Sequence, residues 1–245
     1  MLPQLAIQES ILYDCRRRVS SNRCEAIDFM TGNDRAIELA GGTLGRQRHV
    51  CAFFNNIDEE HRVLRSFIRD AFDRGEKVTH LVDPGTREQH LKRFTEAGID
   101  VREMMDTGQL EVPPWTDIYV RDHQFDQDSM LASVEKLLQS GAAAGYELTR
   151  LVGHHMDWVF RERPATNNLV EYEARLNDVL STYNDPVICT YDVSTFSASV
   201  AMDIMRTHPL VIIGGLLREN PFFVPPDQFL DEMRARRSAR QVTAP

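Results

Sequence analysis

From Arg48 onward, short apolar runs alternate along the chain with longer segments in which apolar residues recur every three or four positions. The short runs predict buried strands at 49–54, 77–82, 109–112, 148–153, 187–191 and 209–213. The longer segments predict helices at 58–74, 86–97, 127–144, 168–182, 194–207 and 226–237. Strands that alternate with helices of this length predict an α/β fold with three layers, α/β/α, and a mostly parallel sheet covered on both faces.

The loop after the first predicted strand stands where an NTPase would hold phosphate. The strand His49–Phe54 is followed by Asn55, Asn56 and the acidic run Asp58–Glu60. A phosphate loop needs glycines for close backbone approach, a Lys for the phosphate charge and a hydroxyl for Mg²⁺, and this loop has none of them. Its carboxylates already complement the positive end of the following helix. The pattern therefore predicts an NTPase-like frame without an NTPase site. It favours a binding or sensing role over catalytic turnover.

The domain boundaries are predicted from glycine and polar residues that interrupt the regular segments. Residues 1–40 are interpreted as an N-terminal extension of unassigned role, and Gly41-Gly42 as linker. Residues 41–238 form the predicted domain, and 239–245 a flexible tail.

Composition narrows the class of protein. The chain has 245 residues, 42% hydrophobic and 27% charged, and a net charge of −9 that disfavours direct binding of nucleic acid. No run is long enough to span a membrane and no export signal is recognised, so we expect a cytoplasmic protein. The cysteines Cys15, Cys24, Cys51 and Cys189 are scattered, and the last two lie in strand-like runs where a buried, reduced thiol is expected.

A ligand of such a sheet is expected at the carboxyl ends of its strands. The loops there carry aromatic and polar side chains that suit a small, partly apolar molecule. The candidate ligand-binding residues are Asn55, Asp83, Trp115, Tyr119, His155, Asp157, Trp158, Tyr191 and Asp192.

The run His154–Asp157 also invites a metal interpretation, with Cys189 or Asp192 completing the set. Neighbouring residues of a strand face opposite sides, and no second His pair stands at helical spacing, so no metal and no cofactor are expected. The chain has no G-x-S-x-G elbow, and its cysteines are not placed for catalysis. Catalytic residues are therefore not predicted.

The motifs together resemble the MEDS sensory-domain family, named for methanogens, methylotrophs and a dichloromethane-responsive regulator. The resemblance covers about residues 39–237. The matching segments are Leu39–Gly42, His49–Phe54, Asp58–Glu60 with Phe67–Ile68, Gly75–Lys77, Phe125–Gln127, Tyr172–Arg175, Ile188–Asp192, Arg206–Pro209, Ile213–Gly215 and Asn220–Pro226. The resemblance implies a RecA/KaiC-like fold without the phosphate loop. It also implies sensing of small, hydrocarbon-derived molecules, coupled to a DNA-binding module or a histidine kinase.

The function expected from these observations is non-enzymatic sensing. A small molecule would lie among Trp115, Tyr119, Trp158 and Tyr191, and the signal would pass to a protein partner or through a homodimer. One alternative is a cryptic nucleotide-binding enzyme. The other is a ligand-independent interaction module that docks through Pro221–Pro225, although both Phe residues there are expected to pack into the core.

Overall fold

The computed structural model describes residues 36–121, 124–154 and 166–243. Its strands are β1 (Ile37–Leu39), β2 (Gly42–Leu44), β3 (His49–Phe54), β4 (Lys77–Leu81), β5 (Leu110–Glu111), β6 (Val120–Arg121), β7 (Gln124–Phe125), β8 (Thr149–Gly153), β9 (Val187–Asp192), β10 (Leu210–Ile213) and β11 (Leu216–Glu219). Its helices are α1 (Ile57–Asp73), α2 (Arg87–Glu96), α3 (Val101–Asp106), α4 (Thr116–Tyr119), α5 (Gln127–Ala143), α6 (Thr166–Leu180), α7 (Ala198–Arg206) and α8 (Pro226–Thr243).

The main sheet has seven strands in the order β11-β10-β3-β9-β8-β4-β5, and all of its pairings are parallel except β10 with β11. One face packs against α1, α2 and α3, and the other against α5, α6, α7 and α8. Strands β3, β4 and β8 are buried along their whole length, which explains why their sequences are nearly continuous rather than alternating in apolar residues. The predicted three-layer α/β/α fold with a mostly parallel sheet is confirmed.

Short elements at the sheet edge were not predicted. Gly41 lies in a tight turn between β1 and β2, in which Ala40 has φ 49° and Gly41 φ 72°, so the predicted linker is a hairpin. A second hairpin turns at Gly214-Gly215, both at positive φ, and adds the edge strand β11. Three- and four-residue strands are too short to show a period of two. The last helix, expected to end at 237, continues to Thr243.

None of the described helices is long and apolar enough to cross a bilayer.

Candidate functional site

The loop between β3 and α1 is closed to phosphate by its own side chains. Asn56 caps α1, its Oδ1 accepting a hydrogen bond from the Glu59 N–H at 2.9 Å. The Glu59 carboxylate turns back and accepts from the backbone and side-chain amides of Asn55, each at 2.8 Å. A carboxylate therefore lies where a phosphate would approach the helix, as the loop sequence predicts.

A group of imidazoles and one carboxylate lies beneath α1 and α2, near the carboxyl ends of the strands. We call it the histidine cluster, and it consists of Glu60, His61, His80, His90 and His154. Glu60 and His61 come from the first turns of α1, and His90 comes from α2. His80 is the last residue but one of β4, and His154 directly follows β8, the strand paired with β4.

The members of the histidine cluster stand at hydrogen-bond distances. His154 Nε2 lies 2.6 Å from His80 Nδ1, which lies 3.0 Å from His90 Nε2. On its other side, His154 Nδ1 contacts the Glu60 carboxylate. Because a carboxylate only accepts, His154 carries a proton on Nδ1. His80 Nδ1 lies between the Nε2 atoms of His154 and His90, and the single proton or lone pair of this nitrogen serves one of the two contacts at a time.

Burial favours the neutral form of His61, His80 and His90. It lowers the pKa of His80 and of His90 well below the usual value, and the neighbouring His154 lowers both further. The pKa of His61 falls to about 4, chiefly through burial and then through His154. His80 Nε2 and His61 Nε2 are buried without a hydrogen bond to any residue that the structure describes. The cluster thus holds unused lone pairs or N–H groups at pH 7.

The histidine cluster reaches the surface through His61. The ring of His61 lies 4.9 Å from that of His90 and 6.2 Å from that of Phe94, measured between centroids. His61 and Phe94 also line a groove of about 340 Å³ between α1 and α2. Apolar and charged side chains share the other walls of this groove: Asp58, Arg62, Arg65, Ile68, Arg93, Glu96, Ala97 and Ile99.

A second buried polar group lies under the opposite face of the sheet. We call it the Glu173 cluster, and it consists of His49, Glu173, Cys189, Tyr191 and His208. Glu173 projects from α6 toward β3 and β9, which carry His49 and the pair Cys189 and Tyr191. His208 comes from the turn before β10.

The Glu173 carboxylate is the centre of this group. Its Oε1 accepts from the Tyr191 hydroxyl at 2.5 Å. Its Oε2 lies 3.5 Å from His49 Nε2, 3.4 Å from His208 Nε2 and 3.6 Å from Cys189 Sγ. Burial, and then the neighbouring His208, lower the pKa of His49 below its usual value. Burial and the Glu173 charge raise the pKa of Cys189 well above the usual range.

The structure places the predicted ligand residues in two neighbouring pairs. Asn55 and Asp192 lie at the ends of β3 and β9, where Val193 N–H donates to Phe54 C=O. Trp115 lies beside Val82, which precedes Asp83, because Trp115 N–H donates to Val82 C=O at 2.9 Å.

Several of these residues have local partners. Asp83 accepts from Gly85 N–H at 2.7 Å, and Asp192 accepts from the amide and hydroxyl of Ser194. Tyr191 is fully buried against Glu173. The backbone of Tyr119 ends α4, and His155, Asp157 and Trp158 lie outside the described residues. The predicted ligand set stays a prediction.

Sequence reasoning missed most of both clusters. It considered His154 with His155, its neighbour in sequence, whereas the structure joins His154 to His80 and His90 across strands and helices. It treated Cys189 as a small apolar residue, yet the thiol lies among polar atoms. The available signal was a polar residue inside an apolar strand, as in the run Lys77–Leu81.

Comparison with known proteins bears on the fold and the family. The structure is similar to the crystal structure of a KaiC-like protein from the hyperthermophilic archaeon Pyrococcus horikoshii OT3. The TM-score is 0.53, the sequence identity 15%, and the match covers 71% of this chain and 74% of that chain. No curated protein matches.

The similarity supports the RecA/KaiC-like α/β fold expected from the motifs. The profile of the family described as methanogen/methylotroph, DcmR sensory domain (MEDS) matches residues 48–209. Since this match spans more than half of the chain and confirms the resemblance of the motifs, the chain belongs to the MEDS family of sensory domains.

Proposed function

We propose that this domain senses a small, partly apolar molecule near the carboxyl ends of its strands, without turning it over, and signals to a protein partner. The observation that carries the proposal is the histidine cluster, which opens through His61 into the groove between α1 and α2. A sensory role in general follows from the family. The site, the class of ligand and the partner are the proposed part.

The groove offers two kinds of contact to a ligand. Ile68, Phe94 and Ile99 provide apolar wall, and the imidazole of His61 provides a hydrogen-bonding atom with no described partner. The charged side chains of the groove would add contacts to the polar part of a partly apolar ligand. At the N-terminus of α1, the Glu59 carboxylate accepts from Asn55, which argues against a nucleotide phosphate there.

A ligand in this groove has a direct way to change the shape of the domain. It would contact α1 and α2 together, and both helices also supply members of the histidine cluster. A conformer in which the two helices close on the ligand would present a different outer surface to a partner. A tenfold shift between the two conformers requires about 1.4 kcal/mol of differential binding.

The test fills the groove without touching the buried cluster. Ala97→Trp places a large side chain at the groove wall, and Ala143→Trp places the same side chain at an exposed position of α5 on the opposite face. Native mass spectra of freshly purified protein are compared with the denatured mass for the wild type and both variants. A panel of small alcohols, amines and halogenated hydrocarbons is then tested by thermal shift.

The proposal predicts an organic adduct or a thermal shift that Ala97→Trp loses and Ala143→Trp keeps. Binding that survives Ala97→Trp would remove the groove from consideration. A wild-type protein that carries no organic adduct and responds to no member of the panel would contradict ligand sensing at this site.

A further inference from the structure

Two nitrogen–carboxylate distances of the Glu173 cluster are longer than charge-assisted hydrogen bonds, whereas the Cys189 sulfur contacts have lengths ordinary for a thiol. His49 Nε2, His208 Nε2 and Cys189 Sγ stand 3.4–3.6 Å from Glu173 Oε2, and Cys189 Sγ lies 3.7 Å from His49 Nε2. Charge-assisted hydrogen bonds between nitrogen and a carboxylate are normally about 2.7–2.9 Å long. Four ligand atoms around one tetrahedral ion, at bond lengths of about 2.0–2.3 Å, are separated from one another by about 3.3–3.6 Å.

The proton on His49 is fixed by Asn177. The side-chain amide nitrogen of Asn177 donates to the carbonyls of Glu173, Ala174 and Thr207 at 2.8–3.1 Å. Its Oδ1, 3.0 Å from His49 Nδ1, is therefore the acceptor, and His49 carries a proton on Nδ1. A neutral His49 then directs the lone pair of Nε2 at the Glu173 carboxylate.

The same reasoning holds for His208. Its Nδ1 lies 2.9 Å from the carbonyl oxygen of Ile204, which only accepts, so the proton is on Nδ1. Nε2 is buried and makes no hydrogen bond to the described part of the chain. The Nε2 atoms of His49 and His208, a carboxylate oxygen and a sulfur thus converge in the interior, an arrangement that a cation between them would stabilise.

We propose that His49 Nε2, Glu173 Oε2, Cys189 Sγ and His208 Nε2 together bind one divalent transition-metal ion, with zinc as the best fit. Thiolate and imidazole ligands in tetrahedral arrangement select Zn²⁺ among the common divalent cations. On binding, the S–H bond of Cys189 breaks, its proton goes to solvent, and the sulfur bonds to the metal. The thiolate and the carboxylate then carry two negative charges that balance the two positive charges of the ion.

The surroundings of the four ligands suit a structural metal site rather than a catalytic one. All four side chains are buried, which leaves no open coordination position for a substrate. Each imidazole is oriented by its outer acceptor, and Tyr191 holds the second carboxylate oxygen of Glu173. The ion would add a bond from α6 to β3, β9 and the turn before β10, beside the hydrogen bonds of Asn177 and Tyr191 that already join them.

The histidine cluster is the weaker candidate for this ion. Its three converging nitrogens, on His80, His90 and His154, also lie close enough to share a cation. Their separations of 2.6 and 3.0 Å fall in the range of hydrogen bonds and are shorter than the spacing of ligand atoms around a tetrahedral ion. Because the two clusters lie on opposite faces of the sheet, the metal centre does not depend on the proposed ligand groove.

The test uses the full chain and compares two buried cysteines, Cys189 and Cys51, which are paired on the neighbouring strands β9 and β3. Cys189→Ser removes a ligand, and Cys51→Ser makes the same change at the residue paired with Cys189, outside the ligand set. His80→Asn probes the other cluster. The metal content of the purified protein is measured by elemental mass spectrometry. Chelator-treated protein is titrated with Co²⁺, whose absorption reports thiolate ligation and tetrahedral geometry, and then with Zn²⁺.

The proposal predicts one zinc per chain, and a cobalt–thiolate band, in the wild type, Cys51→Ser and His80→Asn. Cys189→Ser loses the band and binds Zn²⁺ at least about 100-fold more weakly, whereas Tyr191→Phe weakens binding by about 10- to 100-fold as an outer-sphere change. The proposal is overturned if the wild-type protein binds neither metal at micromolar concentration. It is also overturned if His80→Asn loses the zinc. Should Cys189→Ser fail to fold, the wild-type cobalt spectrum alone decides, since no thiolate band means no such centre.

Discussion

The histidine cluster and the Glu173 cluster are built from the same materials, imidazoles around one carboxylate, and lie on opposite faces of one sheet. They differ in spacing and in access. The nitrogens of the histidine cluster approach to 2.6 and 3.0 Å, and His61 connects them to a groove. In the Glu173 cluster, the nitrogen and sulfur atoms of His49, His208 and Cys189 lie 3.4–3.6 Å from Glu173 Oε2, and all of these side chains are buried.

The comparison shows that distance separates two kinds of buried polar site. Contacts as short as 2.6 and 3.0 Å are those of hydrogen bonds, which need no ion between the two atoms. Nitrogen–carboxylate contacts of 3.4 and 3.5 Å have the spacing of ligands that share a cation. In this domain the sealed site would hold the fold together and the open site would receive the signal.

The largest expected effect comes from Glu173→Gln, which removes a ligand and leaves the imidazoles without their carboxylate. We expect the free energy of unfolding, measured by urea denaturation in the presence of zinc, to fall by about 3–5 kcal/mol. The matched change Glu171→Gln, on the same helix, breaks an ion pair with Arg237 and should cost under about 1 kcal/mol. If the two variants lose the same free energy of unfolding, the Glu173 cluster has no special structural role.

Removal of the metal should lower stability nearly as much. At free zinc of 100 times the dissociation constant, binding to the folded state alone adds about 2.7 kcal/mol to the free energy of unfolding. Thermal unfolding with and without chelator should show this difference in the wild type and in His90→Asn alike. If His90→Asn abolishes the chelator effect, the roles of the two clusters are reversed.

A smaller loss is expected from Tyr191→Phe, which deletes only the hydroxyl that donates to Glu173 Oε1. A hydrogen bond to a charged group contributes about 1.5–3 kcal/mol, and the loss should lie in that range. Denaturant unfolding at saturating zinc measures it. A neutral result would show that the second carboxylate oxygen needs no partner.

The histidine cluster should make the domain sensitive to acid. The folded-state pKa of His61 is lowered from 6.5 to about 4, so below pH 6.5 the unfolded chain binds more protons than the folded one. This contribution is fully present above pH 6.5 and is lost as the pH falls toward 4. Burial is the largest cause of the lowered pKa; of the charged and titratable groups that face the ring, His154 and Arg93 lower it further, and Glu60 and Asp58 oppose it.

The measurement is urea unfolding of the wild type and His61→Asn between pH 7 and pH 4. The variant should lose less stability than the wild type over this range. Parallel losses in the two proteins would show that His61 does not titrate as its burial implies.

The sequence predicts the fold well and the clusters poorly, for physical reasons. Near-continuous apolar runs such as His49–Phe54 are a local signal, and so is a phosphate loop without glycine or lysine. The Glu173 cluster instead joins residues up to 159 positions apart, from His49 to His208, and only the parallel pairing of β3 with β9 and β10 brings them together.

Expectations that rested on neighbours in sequence fared worse. His154 was weighed with His155 and not with His80, because strand pairing cannot be read from one segment. Packing of both Phe residues of Pro221–Pro225 into the core was wrong for Phe222, whose side chain is 58% exposed. Turn-rich segments carry no periodicity that shows which side chain faces inward.

We propose that the buried Glu173 cluster holds the ion and that the histidine cluster does not. The most direct measurement is an anomalous difference map at the zinc absorption edge, from crystals of the full chain grown with zinc. The account predicts a peak among His49, Glu173, Cys189 and His208, about 2.0–2.3 Å from each ligand atom. A peak among His80, His90 and His154 instead, or no peak in the Glu173 cluster, would contradict it.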